Sequence, residues 1–125
     1  MTKVRILLVD DETPFLQTLA ELLQTTLLTT VYTATSVPDA LSQIDRNGPF
    51  DILISDYQMP PHTAHDLAQH LRDAKNKIPL ILHSGFSDID ESHFEGAPYL
   101  GFVPKPDHRQ LIRLILDHFP HAKKP

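Results

Sequence analysis

Val4-Arg5-Ile6-Leu7-Leu8-Val9-Asp10-Asp11-Glu12 is a short apolar run that ends abruptly in three acids. Three other runs share its brevity: Ile52-Leu53-Ile54-Ser55, Pro79-Leu80-Ile81-Leu82-His83 and Phe102-Val103. Apolar runs of this length between turn residues read as strands. Three of the four are continuous rather than alternating, as in strands covered on both faces of a parallel sheet. A fifth, weaker strand is Val31-Tyr32-Thr33-Ala34, which is β-branched and aromatic.

Helical patterns fill the gaps between these strands. Thr13-Pro14 starts one, with proline placed in the first turn and Phe15, Leu19, Leu22 and Leu23 assigned to its inner face. Ser36 caps a second, with Pro38 near its start and Ala40, Leu41 and Ile44 inward. A third runs from about Thr63 to Arg72 on Ala64, Leu67, Ala68 and Leu71, and the last from about His108 to Phe119 on Leu111, Ile112, Leu114, Ile115 and Phe119. Between Ser87 and Pro98 the pattern is acidic and weakly periodic, so a short or irregular helix is expected there. Strand and helix thus alternate five times. This implies right-handed βαβ units and a doubly wound α/β fold: three layers, with a parallel five-stranded sheet between helices.

The composition sets limits on function. The chain has 125 residues, one domain's worth. It has no cysteine, which excludes a disulfide scaffold, a thiolate metal site and a cysteine nucleophile. Its net charge of −5 makes it a poor partner for nucleic acid phosphates. No apolar run reaches the ~18 residues of a membrane helix, and the N-terminus has no signal-peptide pattern, so a cytoplasmic protein is expected. Residues 1–120 read as the domain, and 121–125 as a frayed tail or the start of a linker.

In open parallel sheets the active crevice lies at the carboxyl ends of the strands. The residues expected there are Asp10-Asp11-Glu12, Ser55-Asp56, His83-Ser84-Gly85 and Pro104-Lys105-Pro106. Crowded carboxylates repel one another and call for a cation. An all-oxygen donor set suits a hard ion such as Mg²⁺. A carboxylate beside such an ion can act as a nucleophile toward a phosphoryl group. Lysine can pair with the phosphoryl oxygens, and the serine hydroxyl can hydrogen-bond another. Phosphoryl transfer asks mainly for positioning and charge neutralisation, which this set offers.

These motifs resemble the response-regulator receiver domain of two-component signalling. The segments that carry the resemblance are Ile6-Leu7-Leu8-Val9-Asp10-Asp11-Glu12, Phe50 to Pro60 around Ser55-Asp56, Ser84-Gly85 and Gly101-Phe102-Val103-Pro104-Lys105-Pro106. Asp56 follows Asp11 by 45 residues, Ser84 follows Asp56 by 28, and Lys105 follows Ser84 by 21. The resemblance implies the flavodoxin-like strand order 2-1-3-4-5. It implies that Asp56 accepts a phosphoryl group from a histidine kinase or histidine phosphotransfer protein. Asp10, Asp11, Asp56 and the backbone carbonyl of Gln58 would hold Mg²⁺. Lys105 would pair with the phosphoryl oxygens, Ser84 would be the switch hydroxyl and Phe102 its partner aromatic. It also implies a cis bond between Lys105 and Pro106. Gln58 and Phe86 would flank the approach of hydrolytic water, with bulky Phe86 giving a long phosphoryl lifetime.

The sequence departs from the family pattern in places. Pro61-His62-Thr63-Ala64 has no glycine where the family usually carries Asp-Gly, so the loop after Asp56 should be built differently. His62 and His65, like His118 and His121, have an i, i+3 spacing but no further ligand, and read as solvated surface residues. His83, next to Ser84, reads first as a packed strand residue and second as a modulator of the site. The expected activity is a signalling switch rather than an enzyme acting on an outside substrate, with an unidentified downstream protein or output domain. A haloacid-dehalogenase-like phosphatase would need two aspartates one residue apart after the first strand, unlike Asp10-Asp11. The alternative that remains is a receiver-like adaptor working by protein contacts without phosphorylation.

Overall fold

The structure is a computed structural model, which describes residues 2–85, 89–94, 96 and 98–125. Five strands form one parallel sheet: β1 (Val4–Val9), β2 (Thr29–Ala34), β3 (Ile52–Ser55), β4 (Leu80–Ser84) and β5 (Tyr99–Pro104). Their spatial order is β2-β1-β3-β4-β5, the order expected. Three helices connect successive strands from β1 to β4, α1 (Thr13–Thr26), α2 (Val37–Asn47) and α3 (Ala64–Asp73), and α4 (His108–His118) follows β5.

The continuous apolar strands are explained by the two layers they separate. Successive side chains on a strand alternate in direction. Ile6 and Leu8 of β1, with Ile52, Ile54, Ile81 and Val103, pack on Leu16, Leu19 and Leu23 of α1 and on Leu111 and Ile115 of α4. Leu7 and Val9, with Leu53, Leu80 and Leu82, pack on Val37 and Ala40 of α2 and on Ala64, Leu67, Ala68 and Leu71 of α3. Complete burial of a side chain of this size is worth roughly 1.5–3 kcal/mol. These two cores therefore carry most of the driving force for folding.

The helix starts follow local chemistry. Ser36 Oγ accepts the Asp39 N–H at 3.1 Å, and Asp107 Oδ1 accepts the Gln110 N–H at 3.1 Å. Thr63 Oγ1 accepts the His65 N–H, and Asp66 returns the favour on the Thr63 N–H at 2.8 Å. Such caps satisfy donors that the first turn leaves free.

Several expectations need correction. The inner face of α1 is Leu16, Leu19 and Leu23; Phe15 and Leu22 are only half-buried. β2 starts at Thr29 and β5 at Tyr99, each earlier than the apolar residues suggested. Both are edge strands, so polar and small residues are tolerated along their open sides. Within the stretch from Ser87 to Pro98, the regular structure among the described residues is a 3₁₀ turn at Glu91–Phe94, anchored by fully buried Phe94. The residues read as a tail are packed as far as Lys123. Ala122 is fully buried, its carbonyl accepts the Leu28 N–H at 2.7 Å, and Lys123 forms a bridge with Leu27. Among the described residues no helix is long and apolar enough to cross a membrane.

Candidate functional site

The ladder hydrogen bonds run one residue past the strands and fix the backbone at Asp10, Asp56, Ser84 and Lys105. The Asp10 N–H donates to Ala34 O at 3.0 Å, the Asp56 N–H to Val9 O at 2.8 Å, and the Lys105 N–H to Ser84 O at 3.0 Å. Asp10, Asp56, Ser84 and Lys105 thus converge at the carboxyl end of the sheet. They line, with Asp11, Glu12 and Gln58, one edge or another of an open crevice and its floor. Asp10, Asp56 and Ser84 are buried, whereas Asp11 and Gln58 are exposed.

One ammonium serves several carboxylates. Lys105 Nζ lies 2.7 Å from Asp10 Oδ2, 3.2 Å from Asp56 Oδ2 and 3.3 Å from Glu12 Oε1. The ring of Phe15 lies under the same ammonium, 4.6 Å from centroid to nitrogen. Burial alone would lower the Lys105 pKa, but its bond to Asp10 and the charges of Asp56 and Asp10 outweigh burial and raise it. Burial pushes the Asp10 carboxyl up, more than Lys105 and the Glu12 N–H draw it down. The Lys105 direction follows from the negative charge around it, and the Asp10 direction from its burial.

The carboxylates are oriented by backbone donors. Asp10 Oδ1 accepts the Glu12 N–H at 2.9 Å and Asp56 Oδ1 accepts the Tyr57 N–H at 2.8 Å. Ligand oxygens of Asp10, Asp11 and Asp56 lie within 4.8 Å of one another. After Asp56 the glycine-free loop forms a two-residue antiparallel ladder, Gln58–Met59 against His62–Thr63, closed by a cis Pro60–Pro61 bond. Lys105–Pro106 is cis as expected, and Gly48–Pro49 is cis as well.

Phe102 packs on the α2/α3 core, the face that also carries Leu82 and, two residues on, Ser84. Phe86 lies outside the described residues. His83 is packed, as read, at 2% exposure. His62 and His65 are half-buried rather than solvated. Tyr57 and Phe94 enclose the His65 ring, with centroids 5.0 and 4.9 Å away, and His65 Nδ1 lies 3.3 Å from the Tyr57 hydroxyl. Glu12 was expected at the crevice but without a role, and neither Phe15 nor the Tyr57 N–H was expected there. For Phe15 a signal existed: Leu16, Leu19 and Leu23 at spacings of three and four make a better inner stripe, which turns Phe15 toward the crevice.

A doubly wound parallel sheet in the order β2-β1-β3-β4-β5, with an acid-and-lysine crevice at its carboxyl end, defines the flavodoxin-like class of α/β domains. The family model described as the response regulator receiver domain matches residues 6–116. A putative two-component response regulator of Arabidopsis thaliana is 30% identical over 112 residues, 85% of this chain and 17% of that protein. This chain therefore spans about a sixth of that relative's length. The non-phosphorylated HemR receiver domain of Leptospira biflexa is 28% identical with a TM-score of 0.75, covering 98% of each chain. A response regulator receiver protein of Pseudomonas putida shares the fold at 22% identity and a TM-score of 0.84, over 94% of this chain and 98% of that one. The chain belongs to the response-regulator receiver family.

Proposed function

We propose that this receiver is a phosphoacceptor switch of a two-component phosphorelay, with Asp56 as the acceptor. The observation that carries this reading is Asp56 itself: a buried carboxylate at the end of β3, aligned by the Tyr57 N–H and paired with a lysine that also holds Asp10. A carboxylate oxygen of Asp56 attacks the phosphorus of a phosphohistidine on a kinase or phosphotransfer protein. The new O–P bond forms as the P–N bond breaks, and the electron pair leaves with the imidazole nitrogen, which takes up a proton.

The donor set fits a hard divalent cation, since three carboxylates meet with one ammonium and no sulfur or imidazole ligand among them. Asp11, Asp56 and the Gln58 carbonyl would hold Mg²⁺, with Asp10 beside them. When bound, the ion neutralises charge on the phosphoryl oxygens. Lys105 pairs with the same oxygens through its Nζ, and the Ser84 hydroxyl donates to another. Movement of Ser84 onto the phosphoryl group would free space for Phe102 on the same face of the sheet. In this reading the domain turns over no outside substrate; it promotes its own phosphorylation and dephosphorylation.

The test is intact mass after incubation with acetyl phosphate and Mg²⁺. The parent gains one phosphoryl group and Asp56→Asn gains none. A parent that stays unlabelled in both metal and acetyl phosphate, with its fold intact, would favour an adaptor working without phosphorylation.

A further inference from the structure

His83 stands in one transverse row with the acidic pair. Val9 is in register with Ser55, Ser55 with Leu82, and His83 with Val103. One step further along the strands sets Asp10, Asp56 and His83 side by side. Residues two apart share a face, and Leu8, Ile54 and Ile81 all lie on the α1/α4 side. All three polar side chains therefore belong to that side. There, Asp10, Asp56 and His83 line a cavity of about 10 Å³ with Phe15, Leu16 and Leu19. That volume is close to the lower limit for one water molecule.

The chemistry of the lining is unbalanced. His83 Nδ1 lies 2.9 Å from the Val103 carbonyl oxygen, which can only accept, so Nδ1 carries the proton. Burial favours the neutral ring. Nε2 is then a lone-pair acceptor, and it is buried with no hydrogen-bond partner among the described residues. Neither Asp10 nor Asp56 bonds to it, and an ionised carboxylate offers acceptors only. His83 also stands apart from the Asp10, Asp11 and Asp56 set whose ligand atoms close to within 4.8 Å. A water molecule has two donors and can serve Nε2 and a carboxylate oxygen of the same cavity lining at once.

We propose that this cavity binds one water, which donates one hydrogen to His83 Nε2 and the other to the Asp56 carboxylate. His83 is then a positioning residue that braces the acceptor from inside the fold. The positioning role rests on Asp56 being the phosphoacceptor. The water is not the hydrolytic one, because it sits beneath the carboxylate while the crevice opens toward Asp11, Gln58 and Ser84.

The experiment uses the metal-free, unphosphorylated chain and its His83→Gln and His83→Leu variants. Nitrogen NMR reads the His83 tautomer, and water-to-protein magnetisation transfer reads a long-lived water at the ring. The expected result is an Nδ1–H tautomer with such a water; Gln, which keeps an acceptor near the Nε2 position, retains the water, and Leu loses it. With acetyl phosphate and Mg²⁺, His83→Leu should label about tenfold more slowly, the worth of one hydrogen bond to a charged group, and His83→Gln should stay near the parent. An Nε2–H tautomer, no long-lived water, or equal labelling of the Leu and Gln variants would overturn the proposal. A parent that shows the water but takes no phosphoryl group would instead overturn the phosphoacceptor reading, and the positioning role with it.

Discussion

Replacing Lys105 with methionine removes the cation that the buried acids share. The ammonium lies 2.7 Å from Asp10 and 3.2 Å from Asp56, and its side chain is 12% exposed. Breaking a buried ion pair from one side costs about 3–5 kcal/mol, because the remaining charge is left uncompensated. The crevice is open to water beside exposed Asp11, so the lower end applies, roughly 3 kcal/mol. In a chain of this size that lowers the melting temperature by about 10 °C. The pH dependence is also fixed in sign. Asp10 is already pushed up by burial, so without Lys105 it takes up a proton more readily, and the loss should be smaller at pH 5 than at pH 8. Lys105 itself has a raised pKa, so its contribution is complete below the ordinary lysine value of 10.5 and disappears as pH rises through the folded value. Added Mg²⁺ should restore part of the stability at neutral pH. Denaturant melts of parent and Lys105→Met, with and without Mg²⁺, read all of this. A loss under about 1 kcal/mol at pH 7, the worth of a surface pair, would refute the shared-cation reasoning, as would an equal loss at pH 5 and pH 8.

Other expectations can be checked by similar means. Asp11→Ala relieves repulsion at an exposed position, so the metal-free melting temperature should rise slightly; the parent should gain about 2.7 kcal/mol at a Mg²⁺ concentration 100 times its dissociation constant, and the variant should lose that gain at the same concentration. His83 has a lowered pKa because it is buried, so its contribution to stability is present above pH 6.5 and is lost as pH falls from there through the folded value. Melts from pH 8 to pH 5 should therefore slope less in His83→Leu than in the parent. Truncation after Pro120 removes buried Ala122 and its bond to the Leu28 N–H, and should cost about 1–2 kcal/mol in urea unfolding; no change would show the last five residues to be a true tail.

The central strands were legible because each is buried twice. Ile6-Leu7-Leu8-Val9 and Ile52-Leu53-Ile54 must satisfy a helix layer on either side, which leaves no polar position to blur the run. The inner face of α3 was legible to the residue, because Ala64, Leu67, Ala68 and Leu71 all face the core, and each end of the helix lies one residue later along the chain than the reading of Thr63 to Arg72. The starts of the edge strands were not, since Thr29, Thr30 and Gly101 pair through backbone that carries no apolar signature. The packing of Ala122 was hidden for a related reason: one small residue after a proline gives no periodicity. Asp10, Asp11, Asp56, Ser84 and Lys105 could be assembled from sequence because each ends or follows a strand, and parallel strands bring their carboxyl ends together. The surroundings of His65 could not, since Tyr57 and Phe94 reach it from separate segments. Nor could the unpaired Nε2 of His83, which depends on a carbonyl 20 residues away.

Locating the phosphoryl group on the chain is the decisive measurement. The protein is treated with acetyl phosphate and Mg²⁺, reduced with borohydride and digested, and the peptides are read by mass. An acyl phosphate is reduced to the alcohol, so its aspartate becomes homoserine. Asp56 should be converted, Asp10 and Asp11 should be intact, and conversion should fall sharply when Mg²⁺ is chelated. Conversion at Asp10 or Asp11, or a phosphoryl group found on a histidine with Asp56 untouched, would contradict the assignment of Asp56 as the acceptor.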